Sequence, residues 1–90
     1  MDNEKYKKLK ELLSENTDWP MSYMFKCIVP NSKEHINRVV ALLPFQGEFG
    51  FKNSKNNKFV SISCVAQMSD VQKIVDITTS ISEIPDVMIL

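Results

Sequence analysis

Ninety residues with eleven basic and eleven acidic side chains leave room for one small hydrophobic core and give the chain no net charge near pH 7. Without a global field there is little to draw it to nucleic acid or an anionic membrane. Ten of the eleven basic residues are lysine, and Arg38 is the single guanidinium able to fork onto a phosphate or base edge.

No apolar run approaches the roughly 20 residues that span a bilayer. The opening "MDNEKYKKLKELL" has no apolar stretch ahead of a small-residue cleavage site, so it does not read as a secretory signal. Cys27 and Cys64 are too few for a disulfide-stapled secreted domain. A cytoplasmic protein is the expectation.

In chain order, Tyr6, Leu9, Leu12 and Leu13 recur at helical spacing and predict an amphipathic helix over residues 3–14. "SENTDWP" supplies turn formers, and Pro20 discourages helix at Trp19, so this stretch reads as a linker. "MSYMFKCIV" is a strand closed by Pro30, with Tyr23, Phe25, Cys27 and Val29 on one face and Met24, Lys26 and Ile28 on the other. In "NSKEHINRVVALL", Asn31 and Glu34 have capping-box spacing, and Ile36, Val39, Val40 and Leu43 form a one-sided helical stripe ended by Pro44.

"GEFGFKN" reads as a short strand with Phe49 and Phe51 inward, and residues 54–57 as a hairpin turn whose asparagines tolerate positive φ. "KFVSISCVAQM" is the longest strand. It sets Val60, Ile62, Cys64, Ala66 and Met68 against Phe59, Ser61, Ser63, Val65 and Gln67. Ser69 and Gln72 have the spacing of a second capping box, ahead of a helix with Val71, Ile74, Val75, Thr78 and Ile81 on its inner stripe. Pro85 and Asp86 lead into "VMIL", a terminal strand.

Two units are expected: an N-terminal amphipathic helix and linker over residues 1–19, and a β-α-β-β-α-β domain over residues 20–90. Right-handed crossovers turn that order into a four-stranded antiparallel sheet, strand order 4-1-3-2, with both helices on one face. This is an α+β, ferredoxin-like plait with an extra N-terminal helix.

Plaits host many functions, so each is weighed on its own residues. Lys52 precedes "SKNNK" and Lys55 and Lys58 lie within it, where a hairpin tip is expected to be polar and to keep an edge from pairing; nucleic-acid binding through these three lysines is the weakest of the alternatives. An RNA-binding plait stacks bases on aromatics of its central strands, and here the outward row offers Phe59 alone. No thiols are paired at metal-carrier spacing, and no metal or cofactor is expected. Cys27 and Cys64 read as inward, reduced and inert. "PNSK" has no arginine for acylphosphatase chemistry. His35, the single histidine, reads as a solvent-facing helix residue with no cysteine or serine placed for it to activate. Asp70, Asp76, Glu83 and Asp86 are scattered, so no catalytic residue is assigned and the chain is not read as an enzyme.

One feature calls for a partner. The sheet face away from the helices carries Met24, Ile28, Phe59 and Val65 among Lys26, Ser61 and Ser63, a half-apolar surface on a small domain. Either the amphipathic N-terminal helix folding back or a second subunit is expected to cover it; a symmetric homodimer, or another protein partner, is favoured, with the N-terminal helix contributing to it or capping an edge. A second, lesser candidate is the start of the first plait helix at Asn31, Ser32 and Lys33, where backbone amides favour a carboxylate or other anion.

From "SKNNKFVSISCVAQMSDVQKIVDITTSISEIPDVMIL" onward the chain resembles the YbeD-like bacterial proteins, small domains of unknown function. The points of likeness are a lysine-flanked turn running into a "VS(V/I)" strand, then a helix, then a short apolar terminal strand. "MSYMFKCIVP" is similar to the family's first strand, and the resemblance spans residues 20–90. It implies a ferredoxin-like fold similar to the amino-acid-binding ACT domains, which sense small molecules at interfaces between paired domains. Asn57 stands where the family usually has glycine, and "PNSK" lacks the glycine common in the first loop of ligand-binding ACT domains. The combined expectation is a non-enzymatic regulatory or interaction module. An ACT-like sensor of a small molecule such as an amino acid is the alternative.

Overall fold

The computed structural model describes Lys7, Glu11 and residues 19–90. The helix expected over residues 3–14 lies, those two residues apart, outside the described part. Within it the order is β1 (Met21–Pro30), α1 (Lys33–Leu42), β2 (Glu48–Asn53), β3 (Phe59–Met68), α2 (Val71–Ser82) and β4 (Met88–Ile89). The strands form one sheet in the order β2-β3-β1-β4, antiparallel throughout. Read from the opposite edge, this is the 4-1-3-2 order predicted by the crossover rule.

The β1–β3 pair is the spine. All ten residues of β1 are in register with β3, from Met21 opposite Met68 to Pro30 opposite Phe59. Alternation then sorts the side chains. Phe25, Cys27 and Val29 of β1 and Val60, Ile62, Cys64, Ala66 and Met68 of β3 point to one side and are buried. Val39 and Leu43 from α1 and its end, with Ile74 and Ile81 of α2 and Ile84 just beyond, close over them as a single core. Val40, Ile36 and Val75 of the expected helical stripes are only half-buried, at the margin of the helix layer.

Several local expectations are corrected. The N-cap of α1 is Ser32, not Asn31: Ser32 is extended and its side chain accepts the His35 backbone N–H. The α2 cap is Asp70, not Ser69, and Asp70 accepts the N–H of Lys73 at 2.9 Å. Each true cap lies one residue beyond the predicted one, because Asn31 and Ser69 have other roles. Asn31 is tied to the hairpin, its N–H donating to the Lys58 carbonyl and its side-chain amide to the Asn57 carbonyl, both at 2.9 Å. Ser69 donates to the Asp70 carboxylate.

Phe51, expected inward, lies on the helix-facing side but is 55% exposed, because β2 is an edge strand that the two helices do not cover. It stacks on Phe49 with ring centroids 6.3 Å apart. Trp19, assigned to the linker, packs against the core, and its bond to Pro20 is cis. The terminal strand is shorter than "VMIL", with only Met88 and Ile89 in the ladder and the Leu90 N–H donating to the Lys26 carbonyl.

Candidate functional site

Among the described residues, the two helices cover one side of the sheet and no element covers the other, called here the bare side. Parity and register place Met24, Lys26 and Ile28 of β1 with Phe59, Ser61, Ser63 and Val65 of β3 on the side away from the helices. All seven residues singled out from the sequence as an interaction face are thus brought together. The register also adds residues that strand parity of β1 and β3 alone did not reach. Glu48, Gly50 and Lys52 of β2 sit beside Val65, Ser63 and Ser61, and Met88 of β4 sits beside Ile28.

The bare face is built in rows across the strands. One row runs Glu48–Val65–Met24, the next Gly50–Ser63–Lys26, and the third Lys52–Ser61–Ile28–Met88. Met24 is 56% exposed and Met88 62%, whereas Ile28 and Val65 are half-buried by their neighbours. The middle row is low at its β2 and β3 positions, while Lys26 at its β1 position is exposed. Gly50 faces Ser63 so closely that an added Cβ would sit 2.7 Å from the Ser63 hydroxyl oxygen. Beside it, Ile28, Phe59, Ser61 and Lys52 line a shallow hollow of about 200 Å³.

At the helix start, the three residues Asn31, Ser32 and Lys33 do not act together on one open space. Asn31 is spent on the hairpin and Ser32 on the cap, leaving Lys33 exposed. His35 is half-buried, with its Nδ1 2.7 Å from the Ser32 oxygen, so a serine does lie beside the histidine, contrary to the expectation from spacing. That contact follows from capping: a residue three positions into the helix returns to its N-cap.

The hairpin lysines are exposed around a turn closed by the Asn57 N–H to the Ser54 carbonyl. Asn57 has φ 57°, a left-handed conformation that glycine would adopt most easily and asparagine tolerates.

Cys27 and Cys64 are buried free thiols, diagonal to one another across β1 and β3. Burial pushes the Cys27 thiol up to about 11 and raises that of Cys64. Both are the wrong way for a reactive thiolate. Among the described residues, no three histidine, cysteine, aspartate or glutamate side chains form a metal-holding group, and no helix is long and apolar enough to cross a membrane.

A family model described as "Protein of unknown function (DUF493)" matches residues 14–90. No curated protein and no solved structure matches the chain. The match covers both central strands, both helices and the bare face, and it is the same family to which the YbeD-like resemblance pointed. The chain belongs to the DUF493 family.

Proposed function

We propose that the protein is a non-enzymatic regulatory or interaction module, a ferredoxin-like, ACT-like domain that pairs with a second copy of itself through the bare face of its sheet. The observation that carries this reading is the row structure of that face. A two-fold axis running along the Gly50–Ser63–Lys26 row lays the first row of one copy on the third row of the other. Glu48 then meets Lys52, and Met24 meets Ile28. Opposite charges from Glu48 and Lys52 and apolar side chains from Met24 and Ile28 are thus paired across the axis, as an isologous interface requires.

Size supports a modest dimer. Strands spaced about 4.8 Å apart, rising about 3.3 Å per residue, give a face on the order of 500 Å² in plan. A standard interface buries about 800 Å² per partner, so association at the low end of that class is expected. The zero net charge leaves no long-range repulsion to oppose it. The Lys26 pair near the axis works against it, and each lysine must run its stem along the sheet to keep its ammonium in water. The sensor alternative has less support, since Asn31 and Ser32 both spend their side chains within the chain.

The test is a charge swap. Glu48→Lys and Lys52→Glu each weaken self-association, and the double variant restores it. A double variant no better than either single variant would remove the proposed arrangement.

A further inference from the structure

The two edges of the sheet differ. β4 is a two-residue strand, whereas β2 runs unbroken from Glu48 to Asn53 in register with β3. It carries neither proline nor bulge, two of the usual means by which an edge is kept from pairing. The phase of its ladder is set at the hairpin, where the Ser54 N–H donates to the Phe59 carbonyl. Antiparallel pairs alternate, so Lys52, Gly50 and Glu48 aim their main-chain groups at β3. Phe51 and Phe49 aim theirs outward, where no further strand follows among the described residues. Phe51 is also 55% exposed, its ring uncovered by the helices.

Residues 48–52 read acid, phenylalanine, glycine, phenylalanine, base. That order is its own antiparallel complement. A two-fold axis between two copies of β2 must pass through a residue, because outward main-chain groups have to face outward ones. Of the positions in the strand, Gly50 alone sets Glu48 opposite Lys52 and Phe49 opposite Phe51. Each Phe49 then exchanges both of its main-chain bonds with the Phe51 of the other copy. Glu48 and Lys52 fall opposite one another at the closer, non-bonded positions, where side chains meet best. The two glycines share the axis and leave it free of side chains.

From this self-complementary edge we infer that two copies of the chain join β2 to β2 into one eight-stranded sheet, with the rings of Phe49 and Phe51 packed across the seam. Aromatic and opposite-charge pairs are the cross-strand pairs that stabilise such a junction. Its axis stands normal to the sheet at Gly50, and the axis of the face pair runs along the Gly50–Ser63–Lys26 row. The two cross at right angles, so together they close a group of four chains and not an open fibre. That closure rests on the face pairing proposed above; the edge contact does not. A strand edge covers less surface than a sheet face, so it fills at higher concentration than the face pair.

Glu48 and Lys52 serve both contacts, so the test leaves them in place. Amide exchange of the full chain is followed by NMR from micromolar to millimolar concentration. The Phe49 and Phe51 N–H groups should exchange freely when dilute and slow about twofold once half the edges are filled. Those of Gly50 and Lys52, bonded to β3, should be slow throughout. The same slowing should persist in Ile28→Asp, which removes the face pair. Phe51→Pro deletes an outward donor and spares the β3 ladder. It and Phe51→Asp should each abolish the slowing at Phe49 with circular dichroism unchanged. Exchange at Phe49 and Phe51 that ignores concentration overturns the inference: fast throughout means an open edge, and slow throughout means that the chain covers it alone. Slowing that survives both Phe51 variants overturns it as well. Slowing with a mass that never exceeds two chains, unaffected by Ile28→Asp, supports the edge contact and removes the face pairing instead.

Discussion

Asn31 donates its side-chain amide across to the backbone carbonyl of Asn57 at 2.9 Å, fastening the start of α1 to the tip of the β2–β3 hairpin. The two lie 26 positions apart in sequence, so the bond closes a loop that holds α1 and β2. It engages the Asn31 side chain, which leaves the helix cap to Ser32.

That bond sets the first prediction. Asn31→Ala removes one exposed side-chain bond and should lower stability by about 1 kcal/mol, the typical net worth of a hydrogen bond. Asn57→Ala, forced into the left-handed region at φ 57°, should cost about 1–2 kcal/mol. Asn57→Gly should cost little. Urea midpoints of the three variants check the order, and an Asn57→Ala as stable as wild type would contradict it.

Gly47 gives the second. An added methyl group meets the Cys64 sulfur, and it would also sit 3.1 Å from the Val65 carbonyl and 3.2 Å from that of Pro44. Two of these obstacles are backbone and cannot swing aside. Gly47→Ala should destabilise by about 1–3 kcal/mol, the usual cost of overpacking. In the Cys64→Ala background the same change should cost less, because the sulfur is gone. Chemical denaturation of the four proteins of this cycle measures the difference.

The buried thiols predict a direction with pH. The Cys27 thiol has an ordinary value of 9.0 and is pushed up to about 11 in the fold by burial. Between those values the unfolded chain has lost the proton while the native state keeps it. Stability is therefore constant well below pH 9 and falls as pH rises from 9 to 11, with a slope of at most about 1.4 kcal/mol per pH unit from this group. Cys64, also raised, adds in the same sense. Melting curves across this range check it, and Cys27→Ser should flatten the decline. At pH 8, thiol reagents should label neither cysteine until the protein unfolds.

Helix α2 supplies a fourth. Asp70→Ala deletes the cap on the Lys73 N–H and should cost about 1 kcal/mol. Ser69→Ala should cost far less, although the sequence spacing alone points to Ser69. A reversed order in urea titration would place the cap where the spacing put it.

Much of the architecture was readable from the chain because its elements agree at every level. The alternation in "MSYMFKCIVP" and "KFVSISCVAQM" is strict, and two helical stripes lie between strands. What could not be read was whatever depends on neighbours distant in sequence. The two caps missed by one residue because Asn31 has a tertiary partner in Asn57 and because Asp70 competes with Ser69. Phe51 missed because parity gives a side but not how far the helix layer reaches. Of the candidate face, β1 and β3 contributed all seven residues named beforehand. Glu48 and Lys52 came only with the β2 register, which no local pattern fixes. Phe45 looks in the sequence like any apolar residue after a proline; only the fold shows it projecting into water.

Self-association through the bare sheet face is the central claim, and sedimentation equilibrium of wild type beside Ile28→Asp and Val65→Lys tests it most directly. The account predicts a concentration-dependent approach to twice the 10.3 kDa protomer mass for wild type, and the single mass for both variants with unchanged circular dichroism. A wild-type protein that stays at the single mass into the high-micromolar range, or variants that associate as well as wild type, would contradict it.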